Sequence, residues 1–199
     1  VVMDNYNPFQ KVIISKDGSL MERGRPAFML IPEQTFSVES LLNLMLIESN
    51  SSASQSLADV IGEDKFVSLM NEKAKAVGLD GDDFLTPVGR GETNFLNAGE
   101  IVKLVHYILE NKPEIFQITA QKNYALYDFN NVFVRNSKNM NNLLFDPDLG
   151  PNILGGKTGE TTDAGQCIVL VVKYPDAKNY TINIILNSHI LKTYLNINI

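Results

Sequence analysis

The sequence predicts an α+β protein: a mainly helical stretch followed by an antiparallel sheet. Three patterns lead there. Apolar residues recur at helical spacing through the first half of the chain. Cys167 to Val172 is an unbroken β-branched and apolar run, which turns at Pro175-Asp176-Ala177-Lys178-Asn179 and returns as Tyr180 to Leu186. Helices and strands do not alternate in the manner that builds a parallel sheet.

Lys11 to Ser15 reads as a short strand. Ser37 is an N-cap candidate before Val38, Leu41, Leu42, Met45 and Leu46, an apolar helical face. That helix stops at Glu48-Ser49-Asn50-Ser51-Ser52. A second helix follows with Ala53, Leu57, Ala58 and Ile61 inward and Gly62 ending it, then a third with Phe66, Leu69, Met70, Ala74 and Val77, stopped by Gly78. Asp80 to Gly91 is rich in turn residues. Asn97-Ala98-Gly99-Glu100 has the form of a capping box before Ile101, Leu104, Val105, Ile108 and Leu109, and Pro113 closes that helix region. Asn123 to Asp128 and Asn131 to Arg135 read as a hairpin about Asn130-Asn131. His189 to Ile199 is expected to form a final helix.

Composition removes several function classes. The chain has 199 residues, 44% of them apolar, enough for a sizeable core. With 17 basic and 23 acidic side chains it carries a net charge of −6, the wrong sign for coating nucleic-acid phosphates. A single cysteine, Cys167, and two histidines, His106 and His189, argue against an internal disulfide or a Cys/His metal centre. No apolar run approaches the ~20 residues of a membrane span. The chain opens at Val1-Val2-Met3 with no initiator methionine and no leader, so it is expected to be a processed chain or a piece of a longer one.

Two segments carry candidate chemistry. Gly155-Gly156-Lys157-Thr158-Gly159-Glu160-Thr161 precedes the apolar strand. An edge strand there offers main-chain groups to an extended peptide, Lys157 offers a cation to a carboxylate, Thr158 a hydroxyl, and Gly159 room for close approach. The alternative is a glycine-rich turn with a solvated lysine. Ser49-Asn50-Ser51 breaks two helices and sets hydroxyls at their ends; the alternative is capping of the second helix by Ser51 or Ser52.

Taken in order, these segments resemble the second and third motifs of penicillin-binding proteins and serine β-lactamases, Ser-x-Asn and Lys-Thr-Gly. The surrounding text is most similar to the low-molecular-weight D-alanyl-D-alanine carboxypeptidases. Phe36 to Asn50 resembles that family's helix into its second motif. Met70 to Leu79 with Phe84-Leu85-Thr86-Pro87-Val88-Gly89 resembles the next helix and loop, Asn139 to Leu144 the segment before the third motif, and Ala164 to Cys167 the strand after it. The resemblance implies a β-lactamase/transpeptidase-like fold, N-terminally incomplete, with residues 1–199 in a single peptidase domain: 1–150 mainly a helical lobe, 151–199 antiparallel strands and a terminal helix.

It further implies acyl transfer through a serine ester. Ser49 would relay a proton to the leaving amine beside Lys157. Ser51, Thr158, Gly159 and Glu160 would contact substrate, Glu160 through its backbone N–H in an oxyanion hole with its side chain in solvent. Two departures stand out. No serine lies three residues before a lysine, and Thr119-Ala120-Gln121-Lys122 falls in the wrong order, so the nucleophile and its lysine are expected upstream of Val1. Ser51 stands where the family carries an asparagine amide. The implied partners are peptidoglycan stem peptides ending in D-Ala-D-Ala and β-lactams, without cofactor or metal, in an extracytoplasmic bacterial location. Leu191 to Ile199 is too short and weakly basic to be read as a membrane anchor, and His189 is read as a surface residue. Competing readings are a non-catalytic peptidoglycan-binding homologue, favoured by Ser51, and a class A β-lactamase. The latter is weakened because no glutamate between the two motifs is followed four residues later by asparagine.

Overall fold

The computed structural model describes residues 1–20, 26–80, 84–89, 93–174 and 179–188. Most of the 175–179 turn, part of the Asp80 to Gly91 loop, and the expected terminal helix with His189 lie outside them. Seven helices, α1 (Val2–Asn5), α2 (Lys16–Leu20), α3 (Val38–Ile47), α4 (Ser51–Asp59), α5 (Glu63–Val77), α6 (Ala98–Asn111) and α7 (Glu114–Thr119), accompany seven strands among the described residues. Strands β1 (Lys11–Ile13) and β2 (Thr35–Ser37) pair antiparallel, as do β3 (Asn123–Tyr127) and β4 (Phe133–Lys138); β5 (Ile153–Thr161), β6 (Gly165–Lys173) and β7 (Tyr180–Ser188) form an antiparallel sheet in that order.

Local signals set the helix ends. Ser37 accepts from the Ser40 N–H, Gly78 closes α5 at φ 82°, and Asn97 and Glu100 make both bonds of a capping box. Glu100 also accepts from the Asp80 N–H at 3.1 Å, and these backbone donors hold its carboxyl below the usual range. The buried face of α3 is rotated from the expected one. Val38, Leu41, Leu44 and Ile47 are buried, while Leu42 and Met45 are half-buried beside a cavity of about 250 Å³ lined also by Val2, Phe66 and Leu104. The helix is apolar on most sides, so periodicity alone did not fix its phase.

The β3–β4 hairpin begins its return later than expected. Asp128 accepts from the N–H groups of Asn130 and Val132, holding the turn open so that the second strand starts at Phe133. The helix expected after the Asn97–Glu100 box ends at Asn111, just before Pro113, and a further short helix not expected from the sequence, α7, follows with Pro113 at its N-cap position.

The sheet β5–β6–β7 is covered on both faces, as the unbroken apolar run of β6 requires. Ile168 and Leu170 pack with Leu144 and Ile153 on one face; Val171 packs with Val105 of α6 and Phe116 of α7 on the other. A glycine admits α7. A Cβ at Gly155 would lie 2.6 Å from Thr119 Oγ1 and 2.8 Å from the Phe116 ring. A larger core of α3, α4, β1 and β2 centres on Phe36, Leu41, Leu44 and Leu57, all fully buried.

Candidate active site

Between α3 and α4 the chain reverses within three residues. Glu48 is the C-cap of α3 and Asn50 the N-cap of α4, its Oδ1 accepting from the Ala53 N–H at 2.9 Å. The helix is therefore capped by Asn50, not by Ser51 or Ser52. Asn50 begins the turn with an extended backbone, as a cap requires, and its planar amide reaches the third residue of the helix. Its Nδ2 donates to the Phe28 carbonyl at 2.8 Å and to Glu48 Oε1 at 3.0 Å. Ser49 lies between these two wholly buried residues with φ 55°, a left-handed conformation that costs a residue with a Cβ about 1–2 kcal/mol.

Burying the Glu48 carboxylate is tolerable because it is paired. Arg135 of β4 donates to Glu48 Oε2 at 2.7 Å and to Oε1 at 2.5 Å, the two-pronged geometry of a guanidinium on a carboxylate, and to Ser137 Oγ at 3.1 Å.

The opposite wall is β5, the edge of its sheet. Gly156 donates its N–H to Thr119 Oγ1 at 3.1 Å, away from β6. The pairing with β6 then runs in unbroken register from Gly156↔Leu170 to Thr161↔Gly165. Backbone direction alternates along a strand, so the amides of Thr158 and Glu160 also point away from β6. The Thr158 carbonyl accepts from Lys157 Nζ at 2.7 Å on that outer side. Beyond the stretch covered by α7 the edge opens: a Cβ on Gly159 would meet nothing within 4 Å.

The two walls touch. Lys157 Nζ donates to the Ser49 hydroxyl across 108 positions of sequence. A chain of bonds sets their separation. Thr119, bonded to Gly156, offers its carbonyl to Asn139 Nδ2 at 3.0 Å, and the neighbouring Met140 N–H donates to the Ile47 carbonyl at 3.0 Å, at the end of α3. The segment 139–142 is thus the spacer between sheet and helix.

Of the residues singled out from sequence, Ser49 and Lys157 are brought together. Thr158, Gly159 and Glu160 continue along the outer edge, Thr158 half-buried and the other two exposed. Ser51 is half-buried at the start of α4. Gln166 Nε2 approaches the exposed Glu160 carboxylate at 3.4 Å. Sequence reasoning missed Glu48 and Arg135; the signal was an acidic residue directly after the apolar run Leu44 to Ile47 and an arginine among the lysines that follow. Among the described residues no group of three or more His, Cys, Asp or Glu side chains is arranged to hold a metal ion, and no helix is long and apolar enough to cross a membrane. Chemically, the arrangement sets a hydroxyl able to pass a proton beside a cation that favours anionic ligands, next to main-chain donors on an open strand edge.

Comparison with known proteins identifies a family and a fold. The D-alanyl-D-alanine carboxypeptidase family profile matches residues 3–189. The D-alanyl-D-alanine carboxypeptidase DacC of Escherichia coli is 31% identical over 79% of this chain and 39% of its own length, and the DacA enzyme of Haemophilus influenzae 31% identical over 67% and 33%. The chain thus spans well under half the length of these two curated relatives. A Streptomyces DD-transpeptidase superposes with a TM-score of 0.79 at 24% identity, covering 92% of this chain and 74% of that one; a Mycobacterium tuberculosis D-alanyl-D-alanine carboxypeptidase gives 0.79 at 23%, covering 93% and 68%. These two likenesses show the fold, a penicillin-binding, transpeptidase-like α+β architecture.

Proposed function

This chain belongs to the D-alanyl-D-alanine carboxypeptidase family, and from that premise we propose that it serves a serine-type D-Ala-D-Ala carboxypeptidase acting on peptidoglycan stem peptides through an acyl-enzyme. The observation that carries the proposal is the bond from Lys157 to Ser49, which joins the edge strand to the helical corner.

In this reading a stem peptide lies along β5 as an added strand. Its terminal carboxylate is held by Lys157 and the Thr158 hydroxyl, Gly159 leaves room for its backbone, and the Glu160 N–H is one donor to the carbonyl oxygen as it gains charge. A serine hydroxyl adds to the carbonyl between the two D-alanines. Its proton passes by way of the nucleophile's own lysine and Ser49 to the departing amine as the C–N bond breaks, and water then hydrolyses the ester. No serine in residues 1–199 stands three positions before a lysine, so the reading assigns the nucleophile and its lysine to sequence preceding Val1. It takes residues 1–199 as parts of one peptidase domain. It also assigns an extracytoplasmic location, secretion and a part in cell shape, since the substrate lies outside the bacterial membrane.

A second reading, a peptidoglycan-binding homologue without turnover, is favoured by one feature. Ser51 stands where the family carries an amide, and the adjacent Asn50 amide is committed to Ala53, Phe28 and Glu48. Labelled penicillin separates the two. The full-length protein is expected to form a slowly released covalent adduct and to liberate D-alanine from a stem pentapeptide, with Lys157→Ala lowering adduct formation roughly 10²–10³-fold, as for loss of one charge-stabilising donor. No adduct with the folded wild-type protein would favour the binding homologue.

A further inference from the structure

The side chains on either side of Ser49 are bonded to each other. Glu48 Oε1 accepts from Asn50 Nδ2 at 3.0 Å, closing a small ring across the left-handed Ser49, and both flanking residues have no exposed surface. Each is anchored to a different part of the fold. Asn50 is tied to the Phe28 carbonyl and the Ala53 N–H; Glu48 is gripped at both oxygens by Arg135, itself bonded to Ser137 and lying 6.0 Å from the centre of the Phe28 ring. Arg135 is 87 positions from Glu48, on the hairpin whose far end leads into the Asn139–Met140 spacer to β5. The strained turn and the sheet that presents Lys157 are therefore referenced to the same strand.

We infer that Glu48 and Arg135 are positioning residues for Ser49: their ion pair, by gripping Asn50 across the turn, holds Ser49 in the left-handed conformation that aims its hydroxyl at Lys157. The inference rests on the acyl-transfer reading above and assigns no contact with substrate to either residue. A hydroxyl displaced by about 1 Å can cost roughly 100-fold in a positioned proton transfer, whereas a plain buttress affects the folded population alone.

The test replaces the pair in the full-length protein with Glu48→Met and Arg135→Met together, since buried ion pairs exchanged for apolar groups of similar volume commonly leave stability intact. Penicillin adduct formation is followed under saturating and limiting β-lactam, with thermal melts alongside. The expected result is a maximal rate lowered roughly 10- to 100-fold, with the half-saturating concentration within about twofold of wild type and no further loss when the pair is changed in a Ser49→Ala background. Glu48→Gln, which keeps an acceptor for Asn50 and Arg135, is expected to retain much more of the rate than the double methionine variant. Should that double variant not fold, Arg135→Lys preserves the charge without the two-pronged grip, and a several-fold loss confined to the Ser49 background supports the inference. A wild-type rate in the folded double variant, or a loss of equal size with and without Ser49, overturns it. An unreactive wild-type protein overturns the acyl-transfer reading itself; reactive wild type with unaffected pair variants overturns this inference alone.

Discussion

The corner between α3 and α4 holds Ser49 with side chains, whereas β5 presents its groups with backbone. At the corner, Glu48, Asn50 and Arg135 are bonded to one another and to Phe28, and the residue they enclose sits in a disfavoured conformation. Along the edge, a run of glycines sets the shape: Gly155 admits α7, Gly156 lets β6 approach, and Gly159 leaves open space. One wall is specified by polar groups bonded to one another, the other by side chains that are missing. A proton relay needs a fixed atom, and a peptide ligand needs an open strand edge. The two building methods suit those two needs.

If the edge depends on missing side chains, adding one should do the most damage where α7 docks. Gly155→Val is expected to cost about 3 kcal/mol by overpacking against Phe116 and Thr119, a fall in melting temperature of roughly 6–12 °C. At the corner, the decisive substitution is removal of a polar group. Asn50→Ala takes away a helix cap and a partner of buried Glu48, for an expected loss of about 2 kcal/mol in urea unfolding. Two positions on, the Ser52 hydroxyl is buried with no hydrogen-bond partner, so Ser52→Ala is expected to be neutral or to gain about 0.5–1 kcal/mol. A comparable loss at Ser52 would erase the distinction between Asn50 and its neighbours. Farther along the edge, Gly159→Ala should leave stability within about 0.5 kcal/mol, while raising the half-saturating stem-peptide concentration severalfold because the new methyl occupies the ligand's path.

A further modest effect is expected away from both walls. Asp4 is bonded to Lys112 at 2.5 Å and Lys73 at 2.9 Å, and these ammonium groups, Lys112 foremost, hold its carboxyl down at about 2. The folded state therefore favours the charged form. Its contribution is present in full above the unfolded value near 4 and is lost as pH falls from about 4 towards 2. Because the pair is partly solvated, the contribution is expected not to exceed about 1 kcal/mol. Asp4→Asn should flatten the acid limb of stability in that window and leave stability's pH dependence above 5 unchanged.

What the sequence revealed divides along the same line between local and distant bonds. Ser37, Gly78 and the Asn97–Glu100 box act within one turn of their own helix, and their residue types announce them. The edge strand was legible because its glycines and Lys-Thr-Gly precede an apolar run long enough only for a strand. By contrast, α7 has six residues and owes its place to Phe116 and Thr119 packing on Gly155 and to the bond from the Gly156 N–H to the Thr119 hydroxyl, contacts that no helical period encodes. Ser51 and Ser52 are candidate caps of α4 from sequence because a hydroxyl is a common cap, but Asn50 prevails by reaching Ala53, Phe28 and Glu48 at once. Glu48 was unreadable as a buried residue since its partner, Arg135, lies on a distant hairpin. Ser49 and Lys157 were each ambiguous alone; their order and spacing, read beside a known family, brought them together.

The most direct test of that convergence is a double-mutant cycle on penicillin adduct formation in the full-length protein, comparing Ser49→Ala, Lys157→Ala and the two combined. If the hydroxyl and the ammonium act as one unit, the combined variant will be about as slow as the slower single variant. Independent losses that multiply would mean that the two groups do not share a reaction step, and would contradict the account.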